Sequence, residues 1–474
     1  MRVIPIGSDY APRASLRMTF INLTMRDRLK IAITSLAACF LASTAIAHAA
    51  PQPESKMSFL DNGTIRLGVD LNRGGSITWL SKSGSELNVI NSHDLGREVQ
   101  MSYYSGPVPF SVGEKKPHPN WTFIGWNPIQ AGDVFGHVPK ILDFKNDGRA
   151  IYVKCIPMHW PLNDVPGECT FECWLELEGA AVRARSRLVN ARADRTQWPA
   201  RTQEMPAVYT NAPFYKVTGY TGGEPFTGGA LARIEGGEPV QGWRHWLATE
   251  SWAALVNDNG WGLGVWSPDC VEFDSGFAGK PGVGGTQDDP TGYLAPHRRE
   301  ILDHHIVHEF RYELALGTLD EIRRRFCASA QNKTPPPEWR FEHGRCGWTY
   351  ANATDSGWPI DGELRVNLDQ PHPELHSPVF VARAEQVPVL TIHAALVSPH
   401  ARAKVFWRTL DEPNFVEKNS ATFEVNGDGE FREYRVRLGD SPNWRGTVIQ
   451  LRIDPVPAGA QDASMRVKSV LLGK

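Results

Sequence analysis

Residues 62–91 read NGTIRLGVDLNRGGSITWLSKSGSELNVIN. Asp61-Asn62-Gly63 is a tight-turn signal, because Asn and Gly tolerate the backbone angles that short hairpins need. Thr64–Leu71 (TIRLGVDL) then alternates in polarity, which predicts a strand. A Gly-Gly pair leads into a second short strand, Ser76–Leu80, and another turn. The same signature recurs at Ala150–Ile156, Cys169–Leu177, Ala181–Val189 and Trp252–Val256, with a further turn at Asn146-Asp147-Gly148. Arg183, Arg185 and Arg187 alternate with Val182, Ala184 and Leu188, as in a strand with one wet face. The chain therefore reads as all-β with few helices. A Gly-rich phosphate loop, a dinucleotide fingerprint and a long heptad repeat are all missing, so no cofactor is expected.

One helix stands out. Thr318-Leu319-Asp320-Glu321 is a capping box before IRRRF, and the helix should end near Ala330. Lys333-Thr334-Pro335-Pro336-Pro337 follows, and three consecutive prolines make a stiff, extended linker. The predicted organisation is a first β domain over 50–332, a linker at 333–337 and a second β unit over 338–474. The second unit has strand runs at sandwich spacing: Val389–Leu396, Ala403–Trp407, Ala421–Val425, Arg432–Leu438, Val448–Ile453 and Met465–Leu471.

The first 49 residues read as an export signal. Arg26, Arg28 and Lys30 precede an apolar stretch, Ile31–Ile46, and Ala47-His48-Ala49 fits a small-x-small cleavage site. Met25 offers an alternative start, which would make residues 1–24 an over-extended reading. A rival reading is a lipobox at Leu36-Ala37-Ala38-Cys39, with a lipid on Cys39. Either way the expectation is export, periplasmic or secreted, with no integral membrane segment in the mature chain. Residues 1–49 hold six Lys/Arg and two Asp/Glu, leaving 44 and 51 and a net charge of about −7. That balance argues against nucleic acid as a partner. All 16 Trp lie beyond residue 49. Six cysteines remain there: Cys155, Cys169, Cys173, Cys270, Cys327 and Cys346. Export permits a bridge from Cys155 to Cys169 or Cys173, and free buried thiols are the alternative.

The opening run of residues 62–91 resembles the start of the β-supersandwich in the galactose mutarotase-like superfamily. HDLGREVQMSYYSGP (93–107), WNPIQAGD (126–133), YVKCIPMHWPL (152–162) and RTQEMPAVYTN (201–211) resemble an exported bacterial carbohydrate-active family. Phe431–Pro455 resembles the end of jelly-roll, carbohydrate-binding-like modules. The resemblance implies a supersandwich followed by a jelly-roll-like sandwich and a carbohydrate partner. It supplies no reaction, because the fold hosts several, and no catalytic residue is carried over.

Asn91–Asp133 interleaves ionisable groups, carboxamides and aromatic rings with few aliphatic residues. A sugar ring presents apolar C–H faces and a hydroxyl edge, which this mixture suits. Candidate substrate-binding residues here are His93, Arg97, Gln100, Tyr104, Trp121, Trp126, Asn127 and Gln130. Asp94 is a candidate acid/base, with a structural Asp94–Arg97 pair as the bland alternative. In the run at 201–211, Glu204 is the first candidate for general acid or base, beside Arg201, Gln203 and Tyr209. Pro206 disrupts a ladder and suggests an edge or bulge. His159, after a strand and beside Trp160, is a third catalytic candidate. Trp243-Arg244-His245-Trp246 suggests a sugar platform through His245 and Trp246. His304 and His308 are four apart in a strand-like run, but a third ligand is not evident, so no metal site is assigned. The Gly-rich stretch Gly279–Pro296 reads as a lid or a plain loop.

Two carboxyls point to a glycoside hydrolase, with Glu204 and Asp94 flanking the bond and Glu172 or Asp133 as substitutes. A polysaccharide lyase would instead use His159, His93, Tyr103 or Tyr104 as base, with Arg97 or Asn127 neutralising a uronate. A non-catalytic glycan-binding protein is the third reading and an epimerase the fourth. The hydrolase is favoured, with Asp94 and Glu204 expected to meet across one pocket.

Overall fold

The computed structural model describes residues 54–235, 243–331 and 336–474. The stretch 1–49 read as an export signal, Cys39 within it, and linker residues 333–335 lie outside them. Four antiparallel sheets and one α-helix make up the described chain. The first sheet runs in the order Met57–Asp61, Ile65–Asp70, Ser76–Lys82, Val99–Ser102, Arg201–Asn211, Thr291–Glu300, Glu272–Ala278, Arg244–Leu247. The second has Val307–Thr318 near its centre, between Trp261–Trp266 and Ala181–Asn190, and ends on Lys140–Asn146. Leu67, Val69, Val153, Phe171, Val208, Phe273 and Leu314 interdigitate between these two sheets in one continuous core. The sheets approach closely at the Gly74-Gly75 turn. A Cβ on Gly75, which has φ +78°, would lie 2.7 Å from the Val153 side chain.

The helix Leu319–Gln331 begins as the capping box requires. Thr318 N–H donates to Glu321 Oε2 at 2.8 Å and Glu321 N–H donates to Thr318 Oγ1 at 3.4 Å. Ile322 and Phe326 then pack on Trp252 and Trp266, on the outer side of the second sheet.

Residues 338–473 form two six-stranded sheets around Leu390, Ile392, Val405, Trp407, Leu451 and Val470. The expected all-β, sandwich-type fold with few helices is what the chain adopts. A buried charge cluster clasps the two. Arg345 Nη2 lies 2.5 Å from Asp303 and Arg345 Nε 2.5 Å from Asp355, with all three side chains at most 4% exposed. Tyr350 Oη and Gln197 Nε2 also donate to Asp355.

Residues 91–98 are a loop, and pairing begins only at Val99. Two local expectations are corrected. Thr291–Pro296 belong to a strand, so the Gly-rich loop ends at Pro290. All six cysteines of the described residues are free. Cys155 pairs in register with Phe171, so Cys169 lies on the diagonal. Such neighbours have Cα atoms roughly 7–8 Å apart, too far for a relaxed disulfide.

Candidate functional site

The site begins with a bulge. Glu204 stands opposite His297 and Val208 opposite Leu294, so four steps on one strand match three on its partner. On the other side Glu204 faces Ser102 and Ala207 faces Gln100, again one residue in excess. In an unbroken strand residues 204 and 209 would point to opposite faces. The extra residue brings Glu204 and Tyr209 to the same face. The irregularity expected at Pro206 is thus present, in a central strand rather than at an edge.

Both oxygens of Glu204 accept from phenols: Tyr104 Oη donates at 3.0 Å to Oε2, and Tyr293 Oη donates to Oε1. Tyr209 lies 5.0 Å from Tyr293, centroid to centroid, and Trp243 lies 4.6 Å from the Tyr293 ring. Trp243 is 40% exposed, so this aromatic ladder opens to solvent. Burial first, and the Glu204 charge second, push the Tyr104, Tyr209 and Tyr293 phenols well above their ordinary range. All three are therefore protonated donors at neutral pH.

Next to Glu204 the same face carries charged groups from two further strands. Glu272 stands opposite His297, and His245 opposite Asp274. His245 Nδ1 lies 3.0 Å from Asp274 Oδ1, His245 Nε2 3.4 Å from Glu272 Oε1, and His297 Nδ1 3.4 Å from Asp274 Oδ2. Burial draws the His245 imidazole down, but its hydrogen bonds to Asp274 and Glu272 outweigh this and lift it to about 10. His297 is buried and held below its usual value, chiefly by desolvation. The charge of Glu272 also acts on Arg408 of the second sandwich, whose side chain is half-buried.

The sequence candidates divide into those at this face and those that brace it. Glu204, Tyr104, Tyr209 and His245 line it. Gln203 is buried and fixes Tyr104 from behind: its Oε1 accepts from Tyr104 N–H and its Nε2 donates to Tyr104 O, both at 2.8 Å. Arg201 Nη1 donates to Ile124 O at 2.9 Å. Trp246 points into the core and donates to Ser275 Oγ at 2.9 Å.

Asp94 adopts the bland arrangement, accepting from Gly96 N–H at 2.8 Å and pairing with Arg97 at 3.2 Å. The charges of Glu204 and Asp94 both act on Tyr209. His93 Nδ1 contacts Gln287 O at 2.8 Å, and Arg97 Nη2 pairs with Asp289 at 2.8 Å. These two residues tie down the loop 279–290, as does Gln287 through Ser92.

The carboxamides of the 91–133 stretch mostly serve the main chain. Gln100 accepts from Ala131 N–H at 3.0 Å, Gln130 bridges Met101 N–H and Gly74 O, and Asn127 donates to Tyr103 O at 2.8 Å. All three are buried, as is Trp126, whose Nε1 donates to Glu168 at 3.2 Å. His159 is fully buried, with Nε2 2.8 Å from Glu168 Oε2. Without an opening to solvent it is placed as a structural group, not as an acid/base. Trp121 belongs to a separate aromatic cluster with Phe123 and Trp160. His304 meets His305 edge to face while His308 contacts Tyr103 Oη at 3.2 Å, so the two histidines four apart do not converge.

Tyr293, His297, Glu272, Asp274 and Trp243 complete the face. The first two alternate within Thr291–Glu300, and Glu272 and Asp274 alternate in Glu272–Ala278. That period of two was the available signal.

No family model and no curated protein matches the chain. Among solved structures, a galactose mutarotase-like protein from Lactobacillus casei is 14% identical, covers 55% of this chain and 100% of its own, with a TM-score of 0.36. A galactose mutarotase related enzyme from Lactobacillus acidophilus is 9% identical over 55% of this chain and 97% of its own, at 0.35. A low-affinity xylan-binding module from Roseburia intestinalis covers 29% of this chain and 95% of its own, at 11% identity and a TM-score of 0.21. At these identities and scores, the chemistry of the site has to be read from its own side chains.

Proposed function

We propose that the protein is an exported carbohydrate-active enzyme that hydrolyses glycosidic bonds in a poly- or oligosaccharide. The first sandwich carries the chemistry and residues 338–474 act as an accessory, carbohydrate-binding-like sandwich. The observation that supports this most is Glu204, a carboxylate bracketed by two protonated phenols beside an open Trp243–Tyr293–Tyr209 ladder. The aromatic faces suit the C–H faces of a sugar ring, and the carboxylate suits general base or nucleophile work at the anomeric centre.

A second carboxyl is within range. Glu272 lies two strands from Glu204 in the same cross-strand row, which puts their backbones on the order of 10 Å apart. Side chains reaching inward from that span can flank a glycosidic bond, so Glu272 and Asp274 join Asp94 as candidate partners of Glu204. The protonated phenols weigh against an eliminative reaction with tyrosinate as base, and the burial of His159 removes that base from the face.

The test is a screen of the purified protein on a broad panel of poly- and oligosaccharides, reading reducing ends and ultraviolet absorbance together. Reducing ends without a new chromophore are expected, and Glu204→Gln should abolish turnover while sparing binding. An unsaturated, absorbing product would replace hydrolysis by elimination. Unchanged turnover in Glu204→Gln would remove Glu204 from the mechanism.

A further inference from the structure

His245, Asp274 and His297 each present a ligand atom within 4.8 Å of the others. Tetrahedral zinc with bonds of about 2.0–2.1 Å separates its ligand atoms by roughly 3.4 Å. The contacts to Asp274 are near that size, one on each carboxylate oxygen: His245 Nδ1 lies 3.0 Å from Oδ1 and His297 Nδ1 3.4 Å from Oδ2. Both ring nitrogens of His297 are buried without a hydrogen-bond partner. A buried imidazole in that state costs stability unless something at the site engages it. His245 offers Nδ1 to the cluster while its Nε2 faces Glu272. A carboxylate on the far nitrogen of a ligating histidine is the usual outer support of a metal-bound imidazole, fixing its tautomer and orientation. The three residues come from adjacent antiparallel strands, Arg244–Leu247, Glu272–Ala278 and Thr291–Glu300, so the sheet itself sets their spacing.

We propose that His245, Asp274 and His297 bind a divalent first-row transition metal ion, with Glu272 supporting His245. Two imidazoles and one carboxylate suit zinc and its neighbours and leave a coordination position for water or a substrate oxygen. His297 stands directly opposite Glu204, so that position opens on the face where Glu204 lies. His245 is about half exposed, which gives the ion a way in from solvent. The inference concerns occupancy of the cluster and stands whether or not a glycosidic bond is the substrate.

The experiment is calorimetric titration of the chelator-stripped, dialysed protein with Zn²⁺, Mn²⁺ and Mg²⁺, with metal content measured after re-dialysis. One equivalent of Zn²⁺ or Mn²⁺ is expected, in preference to Mg²⁺. His245→Ala and Asp274→Ala should each weaken it about 100-fold or more, and Glu272→Gln about 10-fold. Glu204→Gln should retain the metal. His297→Ala should abolish binding. If that buried variant does not fold, the half-exposed His245→Ala carries the test, with circular dichroism as the check. The proposal is overturned if the stripped protein takes up no stoichiometric ion, or if uptake survives unchanged in both His245→Ala and Asp274→Ala. A metal-binding protein without glycosidase activity would uphold this inference and reject the hydrolase reading.

Discussion

Replacing Arg345 by Met removes the buried guanidinium that clasps the two sandwiches. The structure shows where the cost falls. Asp355 keeps three donors when Arg345 is gone: Tyr350 Oη at 2.8 Å, Gln197 Nε2 at 2.6 Å and Gly357 N–H at 2.8 Å. Its carboxyl is held below the usual range against burial by Arg345 first, then by Gln197 and Gly357. The Asp303 carboxylate retains Trp358 N–H at 2.9 Å. Breaking a buried pair by removing one partner costs about 3–5 kcal/mol, because the remaining charge is stranded. With two carboxylates stranded, the upper half of that range is expected, and most of it should come from Asp303. Urea unfolding followed by tryptophan fluorescence reads the loss directly as a lowered midpoint. Adding Asp303→Asn to Arg345→Met removes the poorly compensated charge and should recover about half of the loss. A single variant that loses less than about 1 kcal/mol, or a double variant no more stable than the single, would refute the reasoning.

Glu300 gives a pH signature. Burial pushes its carboxyl up, but Arg298 and then His308 draw it down to about 2. A folded value below the unfolded one, about 4.3, means the native state binds fewer protons. The stabilisation is therefore complete above about pH 4.3 and is lost as the pH falls toward 2. Stability measured from pH 5 to 3 should fall more steeply in the wild type than in Glu300→Gln, by up to about 1.4 kcal/mol per pH unit. Parallel slopes would show that Glu300 titrates alike in both states. Under the hydrolase reading, Trp243→Ala should raise KM about five-fold, corresponding to about 1 kcal/mol of lost stacking, with kcat nearly unchanged. A fall in kcat at unchanged KM would place Trp243 in the chemical step instead.

The strands were legible because a half-buried strand imposes a period of two, as at Arg183–Leu188, where exposed or partly exposed Arg alternate with buried Ala184, Ser186 and Leu188. The helix start was legible because a capping box is a local hydrogen-bond arrangement. Glu204 could be singled out because Pro206 interrupts its strand, and the bulge there turns Glu204 and Tyr209 to one face. The 91–133 stretch was harder. Gln100, Asn127 and Gln130 have the composition of a sugar site, yet in loop-rich packing a buried carboxamide serves equally well to satisfy stray backbone groups. One sequence does not distinguish these uses. The cluster of Glu272, Asp274, His245 and His297 was missed for a different reason. Its members are up to 52 residues apart in sequence and meet through strand register, which turn signals alone do not set.

The reduced thiols of this chain provide a clock for its own opening. Cys155, Cys169, Cys173 and Cys270 are buried, and burial pushes the Cys173 and Cys270 thiols up to about 12. A thiol-directed reagent reacts with the thiolate, so these sulfurs stay silent until the sheets part. Cys346, on the surface, marks the start of the reaction. The lag between its labelling and that of the cysteine trio at 155, 169 and 173 then measures how long the second sheet stays closed under native conditions.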